Sequence, residues 1–290
     1  TPLLPQVIDP SFIAVRDANT AVVGQGGFGA TSSLFSFDPG AVSPQVNPTP
    51  LASPQNYLGV YWKSSSPTNP PEGWLVIGGN GTFGSSNVTF VSLDGTKVGA
   101  ITGTISTFSG GIATDSAGNV YAATYDIDFD TFEPTPDANR VLKFGTAAVE
   151  SAVQAVIAGT PAPIDISASS FIYQFDSTSN IAVDAIGRIW ATGWAVNYLQ
   201  VFDPATQTTS RIVPEHGSFP EGTDVLYTVR DFTRSGAGYV AFLAQDEYGN
   251  AGTQVYTGWT PVSSITVPQV DQWRASSFGV HNLTAAAEAT

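Results

Sequence analysis

Two segments of the chain share one frame, and this internal repeat restricts the possible folds more than any other feature of the sequence. The segments are GIATDSAGNVYAAT, beginning at Gly111, and NIAVDAIGRIWATG, beginning at Asn180; their common frame is I-A-x-D-x-x-G-x-[VI]-[YW]-A. The frame reads as an apolar strand, a tight turn and a second strand, because Asp accepts backbone hydrogen bonds in turns and Gly accepts positive φ there. Such a repeat predicts antiparallel hairpins spaced along the chain.

Weaker copies of this hairpin, and a second hairpin after each copy, extend the repeat. The weaker copies begin at Phe12, Tyr57 and Tyr227, and the second hairpins begin at Leu34, Val88, Arg140, Tyr198 and Thr253. The 29 glycines and 20 prolines fit many short strands joined by tight turns. Two hairpins make a four-stranded unit, and such units repeated along the chain predict an all-β fold. The expected fold is a β-propeller in a single domain over residues 1–290.

Two parts of the chain do not fit the repeat cleanly. We favour five blades; six is the alternative, in which residues 154–179, including FIYQF, and residues 268–290 together form a degenerate blade. A pair of β-sandwiches is a third interpretation. A short helix that replaces one outer strand is also predicted, with Thr146 as its cap and Gly159 beyond its end, because apolar residues follow helical spacing at Val149, Ala152, Val153, Val156 and Ile157.

The repeated unit resembles that of NHL-repeat propellers and of the related gluconolactonase-like propellers. The close resemblance covers residues 110–126 and 179–195, and it implies a blade rather than a particular chemistry. Enzymes of the gluconolactonase-like group hold one divalent metal at the ends of inner strands, where it polarises an ester carbonyl and activates water. The asparagine that commonly precedes Gly-Ile in that group is replaced here by Gly110 and Ser179, with Asn180 one residue away. The resemblance therefore assigns no metal ligand to this chain.

The charge of the chain excludes several classes of partner. The net charge is −14 at pH 7 and the isoelectric point is near 4.2. Such a surface repels nucleic acids and anionic membranes, and no apolar run approaches the roughly 18 residues of a membrane helix. The absence of cysteine excludes disulfides, thiol catalysis and zinc–thiolate sites. Because the chain also lacks methionine and begins at Thr1, we expect a secreted protein whose signal peptide was removed before that residue.

The acidic segment, YDIDFDTFEPTPD at residues 125–137, is the strongest candidate for a metal site. Its carboxylates belong to Asp126, Asp128, Asp130, Glu133 and Asp137. Alternate residues of an extended chain point to one side, so the first three carboxylates would share a face. Calcium takes six to eight oxygen ligands, which such a run can supply. The segment therefore predicts a calcium site, and the alternative is an overhanging strand with a solvated acidic side.

Other acidic residues fall into two groups. An aspartate recurs where four of the five inner strands are expected to meet their turns. We expect it to fix the turn at Asp17, Asp115, Asp184 and Asp231. The loop PEHGSFPEGTDV, expected on the opposite face, supplies weak catalytic candidates at Glu215, His216, Glu221 and Asp224. Paired carboxylates serve as acid and base in glycoside hydrolysis, and a histidine beside a carboxylate suits a general base or a metal ligand. A solvated loop is the alternative.

These observations favour a binding protein over an enzyme. Aromatic residues make up 11% of the chain and include six tryptophans, whose rings can stack on sugars or pack between blades. We expect a secreted binding or extracellular assembly module, stabilised by calcium, with a glycan or protein partner and a capacity to form oligomers or surface assemblies. The alternative function is a metal-dependent hydrolase, lactonase-like or glycosidase-like, with its site at the mouth of the channel.

Overall fold

The computed structural model describes a little over half of the chain. The described residues are 10–17, 19–25, 33–38, 41, 58–62, 74–80, 87–92, 98–102, 108–125, 128, 130–131, 135, 138–178, 180–184, 186–192, 199–212, 225–234, 237–245 and 251–257. The chain divides into two compact units, one of residues 1–124 and 142–171 and one of residues 125–141 and 172–290. No helix among the described residues is long and apolar enough to cross a membrane.

Short strands dominate the described residues. The first strands are β1 (Pro10–Asp17), β2 (Thr20–Gln25), β3 (Ser33–Phe37), β4 (Leu58–Trp62), β5 (Trp74–Asn80), β6 (Asn87–Ser92), β7 (Val98–Thr102), β8 (Phe108–Thr114), β9 (Val120–Tyr125) and β10 (Arg140–Phe144). Helix α1 (Thr146–Ile157) follows, then β11 (Ile164–Asp165), a 3₁₀ turn (Ile166–Ala168) and β12 (Ser170–Gln174). The remaining strands are β13 (Asn180–Val183), β14 (Ile189–Thr192), β15 (Leu199–Asp203), β16 (Thr208–Ile212), β17 (Val225–Arg234), β18 (Ala237–Gln245) and β19 (Ala251–Thr257).

The described strands form five sheets in which, apart from β11 and β12, neighbours in sequence are neighbours in space. The strand orders are β1-β2-β3, β11-β7-β6-β5-β4, β12-β10-β9-β8, β13-β14-β15-β16 and β17-β18-β19. In the fourth sheet every pairing is antiparallel, whereas β11 adds to β7 in parallel. The predicted fold class is confirmed: the chain is all-β and built from repeated antiparallel units of the β-propeller kind. The number of blades remains a prediction.

The third sheet corrects two expectations about the irregular part of the chain. Residues 170–174 form β12, which lies beside β10 as the outer strand of this sheet, so residues 154–179 do not belong to a sixth blade. The predicted helix is present, but it precedes the outer strand instead of replacing it. Thr146 is the first helical residue and not the cap. The cap position is occupied by Gly145, so no side chain caps the helix. Residues 268–290, the other part of the expected blade, lie outside the described residues.

Helix α1 packs onto the strands of the first unit because its apolar residues fall on one face. Val149, Val153 and Val156 enter a core that includes Phe90 and Phe144. The close approach to β7 requires a glycine, since a Cβ at Gly99 would lie 3.0 Å from Val156 Cγ2. The indole of Trp62, 1% exposed, belongs to the same core, and its Nε1–H donates to the carbonyl oxygen of Gly118 at 2.7 Å. The helix, two sheets and the β8–β9 turn thus share one apolar interior.

In the second unit, the inner strands of the fourth sheet are buried along their whole length. All residues of β13 and β14 are buried, which agrees with strands that are covered on both faces. Trp190 is fully enclosed. Beside them, the Tyr173 ring stacks on Phe202 with centroids 4.3 Å apart and meets the Phe175 ring edge-on at 4.9 Å. These aromatic contacts hold β12 and the segment after it against β15.

Candidate functional site

Asp184 organises the turn between β13 and β14. Its Oδ1 accepts hydrogen bonds from the backbone N–H groups of Ile186 at 3.1 Å and Arg188 at 2.9 Å. Its Oδ2 accepts from Arg188 Nε at 2.6 Å and from Trp190 Nε1 at 2.9 Å. The side chains of Arg188 and Asp184 are only 6% and 8% exposed, so they form a buried ion pair. Gly187 completes the turn with φ 89°, a conformation that favours glycine.

Asp115 builds the same turn between β8 and β9 with uncharged donors. Its Oδ1 accepts from the N–H groups of Ala117 at 3.0 Å and Asn119 at 2.9 Å. Its Oδ2 accepts from Asn119 Nδ2 at 2.7 Å and Tyr121 Oη at 3.0 Å. Burial raises the pKa of Tyr121 well above its usual range, and the charge and hydrogen bond of Asp115 add to the rise. The phenol is therefore held as a neutral donor.

The turn-fixing role predicted for the recurrent aspartates is confirmed at these two positions. Each of the two carboxylates accepts four hydrogen bonds from its own turn and the strand that follows it, which commits the carboxylate to a structural role. Asp17 lies where expected, as the last residue of β1 and paired with Thr20. The expectation for Asp231 is wrong, because Asp231 lies inside β17 opposite Val240 and that strand continues to Arg234.

The acidic segment turns at Asp128 instead of continuing as an extended strand. Asp128 Oδ1 accepts hydrogen bonds from the backbone N–H groups of Asp130 at 2.8 Å and Thr131 at 3.4 Å. The side chains of Asp128 and Asp130 are exposed. The alternation of carboxylates predicted for an extended chain is therefore wrong for residues 128–131, since a side chain that accepts such bonds bends the backbone locally. The other three predicted ligands lie outside the described residues: Asp126, Glu133 and Asp137.

The described residues leave the predicted metal and catalytic sites open. Within that part of the chain, no three His, Cys, Asp or Glu side chains are placed together to hold a metal ion. All four weak catalytic candidates lie outside the described residues: Glu215, His216, Glu221 and Asp224. The calcium site and the hydrolase site therefore stay predictions from sequence.

A buried polar cluster lies where the acidic segment returns to β10. Its members are all less than 9% exposed; they are Asn139, Ser177, Thr178, Asn180, Thr192 and Gln200. The carbonyl oxygen of Asn139 accepts from Phe175 N–H at 2.8 Å, and its Oδ1 accepts from Thr178 Oγ1 at 3.3 Å. Buried polar groups are costly unless they are hydrogen-bonded. The hydrogen bonds of this cluster therefore hold the end of the acidic segment against the start of β13.

Two further polar contacts hold the segment between β12 and β13 in place. Gln200 Oε1 accepts from Asp176 N–H at 2.9 Å, and the Asp176 carboxylate pairs with Arg211 Nη2 at 2.8 Å. Asn180 and Thr192 face each other across the β13–β14 pair. The cluster therefore joins the start of β13 to the end of β14 and the start of β15.

Sequence reasoning missed most of this cluster. Only Asn180 stands out in the sequence, through its position beside the Gly-Ile frame. Asn139 and Thr178 stand just before strands and Gln200 stands inside one, and nothing in their local pattern marks them as buried. A signal was present in the repeat itself, because polar residues that precede an inner strand lie at the end of the sheet opposite to the Asp turn.

Comparison with solved structures gives distant likenesses. Neither a family model nor a curated protein matches the sequence. Regucalcin from Agrobacterium tumefaciens, a calcium-binding protein, is similar with 14% identity and a TM-score of 0.45, over 92% of this chain and 72% of that one. A GH43 β-xylosidase/α-arabinofuranosidase from a compost microbial metagenome is similar with 11% identity and a TM-score of 0.46, over 93% of this chain and 96% of that one. A luciferin-regenerating enzyme has 12% identity and a TM-score of 0.45, over 81% and 70%. A function for this chain therefore has to be argued from its own residues.

Proposed function

We propose that the protein is a secreted β-propeller that works as a binding or extracellular assembly module, with calcium bound by its acidic segment. The observation that carries the proposal is an exposed acidic turn at Asp128 and Asp130 whose chain returns through the buried Asn139. The hydrogen bonds of Asn139 with Phe175 and Thr178 tie that return to the start of β13. A variable polar loop held by rigid strands is a common design of binding sites.

Calcium is the cation that this segment suits. The Asp128 carboxylate already closes a tight turn by accepting the backbone N–H of Asp130, and Asp130 adds a second exposed carboxylate two residues further on. Calcium accepts six to eight oxygens in flexible geometry, from carboxylates and backbone carbonyls. Asp126, Glu133 and Asp137 would supply further carboxylates. A bound cation would also offset the mutual repulsion of five acidic side chains in a chain of net charge −14.

Binding is favoured over catalysis by the structural role of the two turn carboxylates. Asp115 and Asp184 each accept hydrogen bonds from side chains of their own hairpins, so they are committed to holding those hairpins. The buried polar cluster fixes the return of the acidic segment on rigid strands, so the exposed acidic turn stays available to a partner. We therefore place the partner, a glycan or a protein, at the end of the sheet that carries the acidic segment.

The calcium part of the proposal is tested by thermal unfolding with millimolar calcium and with EDTA. At calcium a hundredfold above Kd, binding stabilises by about 2.7 kcal/mol, which for units of this size raises Tm by at least about 5 °C. We expect the rise to vanish in Asp126→Ala/Asp128→Ala. Asp165→Ala is the matched control, because Asp165 is also exposed and accepts Ser167 N–H at 2.8 Å in the same kind of turn. An equal rise in Tm with calcium in the wild type and the double variant would refute the proposed cation site.

The binding role is tested separately, with immobilised glycans and with lactone and glycoside substrates. We expect calcium-dependent retention of a glycan class without turnover of any substrate. Turnover that is lost in Glu215→Gln or His216→Ala would instead establish the hydrolase and overturn the binding module.

A further inference from the structure

The outer strand of the third sheet, β12, has the composition of a strand that pairs with another chain. Its sequence SFIYQ contains no charged residue, no proline and no glycine, and Phe171 is 58% exposed. It ends the strand order β12-β10-β9-β8, so no described strand lies beyond it. Edge strands are normally protected by charges, proline or a covering segment. In the second sheet β11 covers β7 in this way, whereas no described segment does so for β12.

The sequence of β12 is complementary to itself in one antiparallel register. A twofold axis at Ile172 would place Phe171 opposite Tyr173 of the second copy and Ser170 opposite its Gln174. Aromatic pairs and hydroxyl–amide pairs are favourable across antiparallel strands. A twofold arrangement also closes on itself, because both copies use the same surface.

The charges around β12 favour the same arrangement. Two copies with net charge −14 each repel one another, but residues 166–175 carry no charge. The nearest acids are Asp165 before the strand and Asp176 after it, and Asp176 is paired with Arg211 at 2.8 Å. An antiparallel pair directs the Asp165 end of one copy towards the end of the other copy that carries Arg211. A parallel pair would bring Asp165 against its own equivalent.

We infer that β12 is the docking edge for a second copy of this chain, paired antiparallel about Ile172. The assembly role proposed above does not depend on this dimer. Five paired residues bury far less than the roughly 1,200 Å² of a stable interface, so the dimer is weak in solution. The apparent affinity of the dimer rises where many copies are held on one surface, because copies that are already tethered meet at a high effective concentration.

The test uses the absence of cysteine from the native chain. Ile172→Cys places two thiols directly opposite, at the roughly 4.5–5.5 Å Cα separation of antiparallel pairs, which is within disulfide range. Ser170→Cys is the matched control, because its two copies would lie more than about 13 Å apart. Under mild oxidation we expect the Ile172→Cys chain to form a disulfide-linked dimer at least tenfold faster than the Ser170→Cys chain. Equal rates would overturn the register.

A second pair of variants tests the interface without new cysteines. In sedimentation equilibrium we expect the wild type to associate reversibly to dimers as its concentration rises, and Phe171→Lys to remain monomeric. Ile186→Lys removes an equally apolar exposed side chain, 70% exposed, in the β13–β14 turn, and it should dimerise like the wild type. A wild type that stays monomeric, that grows into open-ended aggregates, or that is disrupted equally by both lysines would overturn the proposal.

Discussion

Replacement of Asp184 by Ala should destabilise the protein more than any other single change in the two Asp turns. The substitution leaves the guanidinium of Arg188, only 6% exposed, without its carboxylate. Breaking a buried ion pair by removing one partner costs about 3–5 kcal/mol. The Trp190 indole N–H also loses its acceptor, for about 1–3 kcal/mol. The Ile186 N–H lies in an exposed turn, where water replaces the bond. We expect a loss of about 4 kcal/mol or more.

The assay is urea unfolding of the variants followed by far-ultraviolet circular dichroism, with ΔG from linear extrapolation. Asp115→Ala is the comparison, because its turn uses the neutral donors Asn119 and Tyr121, and we expect it to lose about 2 kcal/mol. Asp184→Ala/Arg188→Leu should recover part of the stability that Asp184→Ala loses, since the uncompensated charge is gone. If the double variant is as unstable as the single one, or if both aspartate variants lose the same stability, the argument from the buried ion pair is refuted.

Three further predictions follow from buried contacts. Gly99→Ala should lower the free energy of unfolding by about 1–3 kcal/mol through overpacking against helix α1. The loss should be smaller in a Val156→Ala background, because the clash is with Val156 Cγ2. Additive losses in the double variant would contradict this. Wild-type stability should fall more steeply above pH 10 than that of Tyr121→Phe, since a raised folded-state pKa supplies stability that is present below the unfolded pKa of about 10 and lost as pH rises above it. Parallel profiles would show that Tyr121 does not carry the effect. Trp62→Phe should lose about 1–3 kcal/mol in chemical unfolding because it orphans the carbonyl of the β8–β9 turn, and an unchanged midpoint would mean that water replaces the indole.

The periodic features of the chain were predictable from sequence. The hairpins at Ile112 and Ile181 follow from apolar alternation and from turn chemistry, which are local, and the structure confirms them in β8–β9 and β13–β14. Helix α1 follows from its apolar spacing. The position of β12 was not predictable, because a strand that pairs across an excursion of about two dozen residues depends on where the helix packs. The same holds for Asp231, whose strand extends past the expected turn through pairing with β18.

The candidate site was predictable only in its exposed part. Five carboxylates in residues 125–137 are visible in the sequence, but the turn at Asp128 depends on which side-chain oxygen captures which N–H. The polar cluster escaped notice because amides and hydroxyls at strand ends look the same whether they face solvent or interior. Burial of Asn139 and Thr178 results from segments that meet from distant parts of the sequence.

The excursion between β10 and β12 has a consequence for splitting the protein. Residues 158–163, between α1 and β11, are exposed. A cut there would leave one fragment that ends with α1 and another that begins just before β11. The second fragment would keep β11 beside β7 and β12 beside β10, both of which belong to the first. The chain is therefore a natural candidate for a split reporter, whose halves reassemble by restoring one strand in each of two sheets.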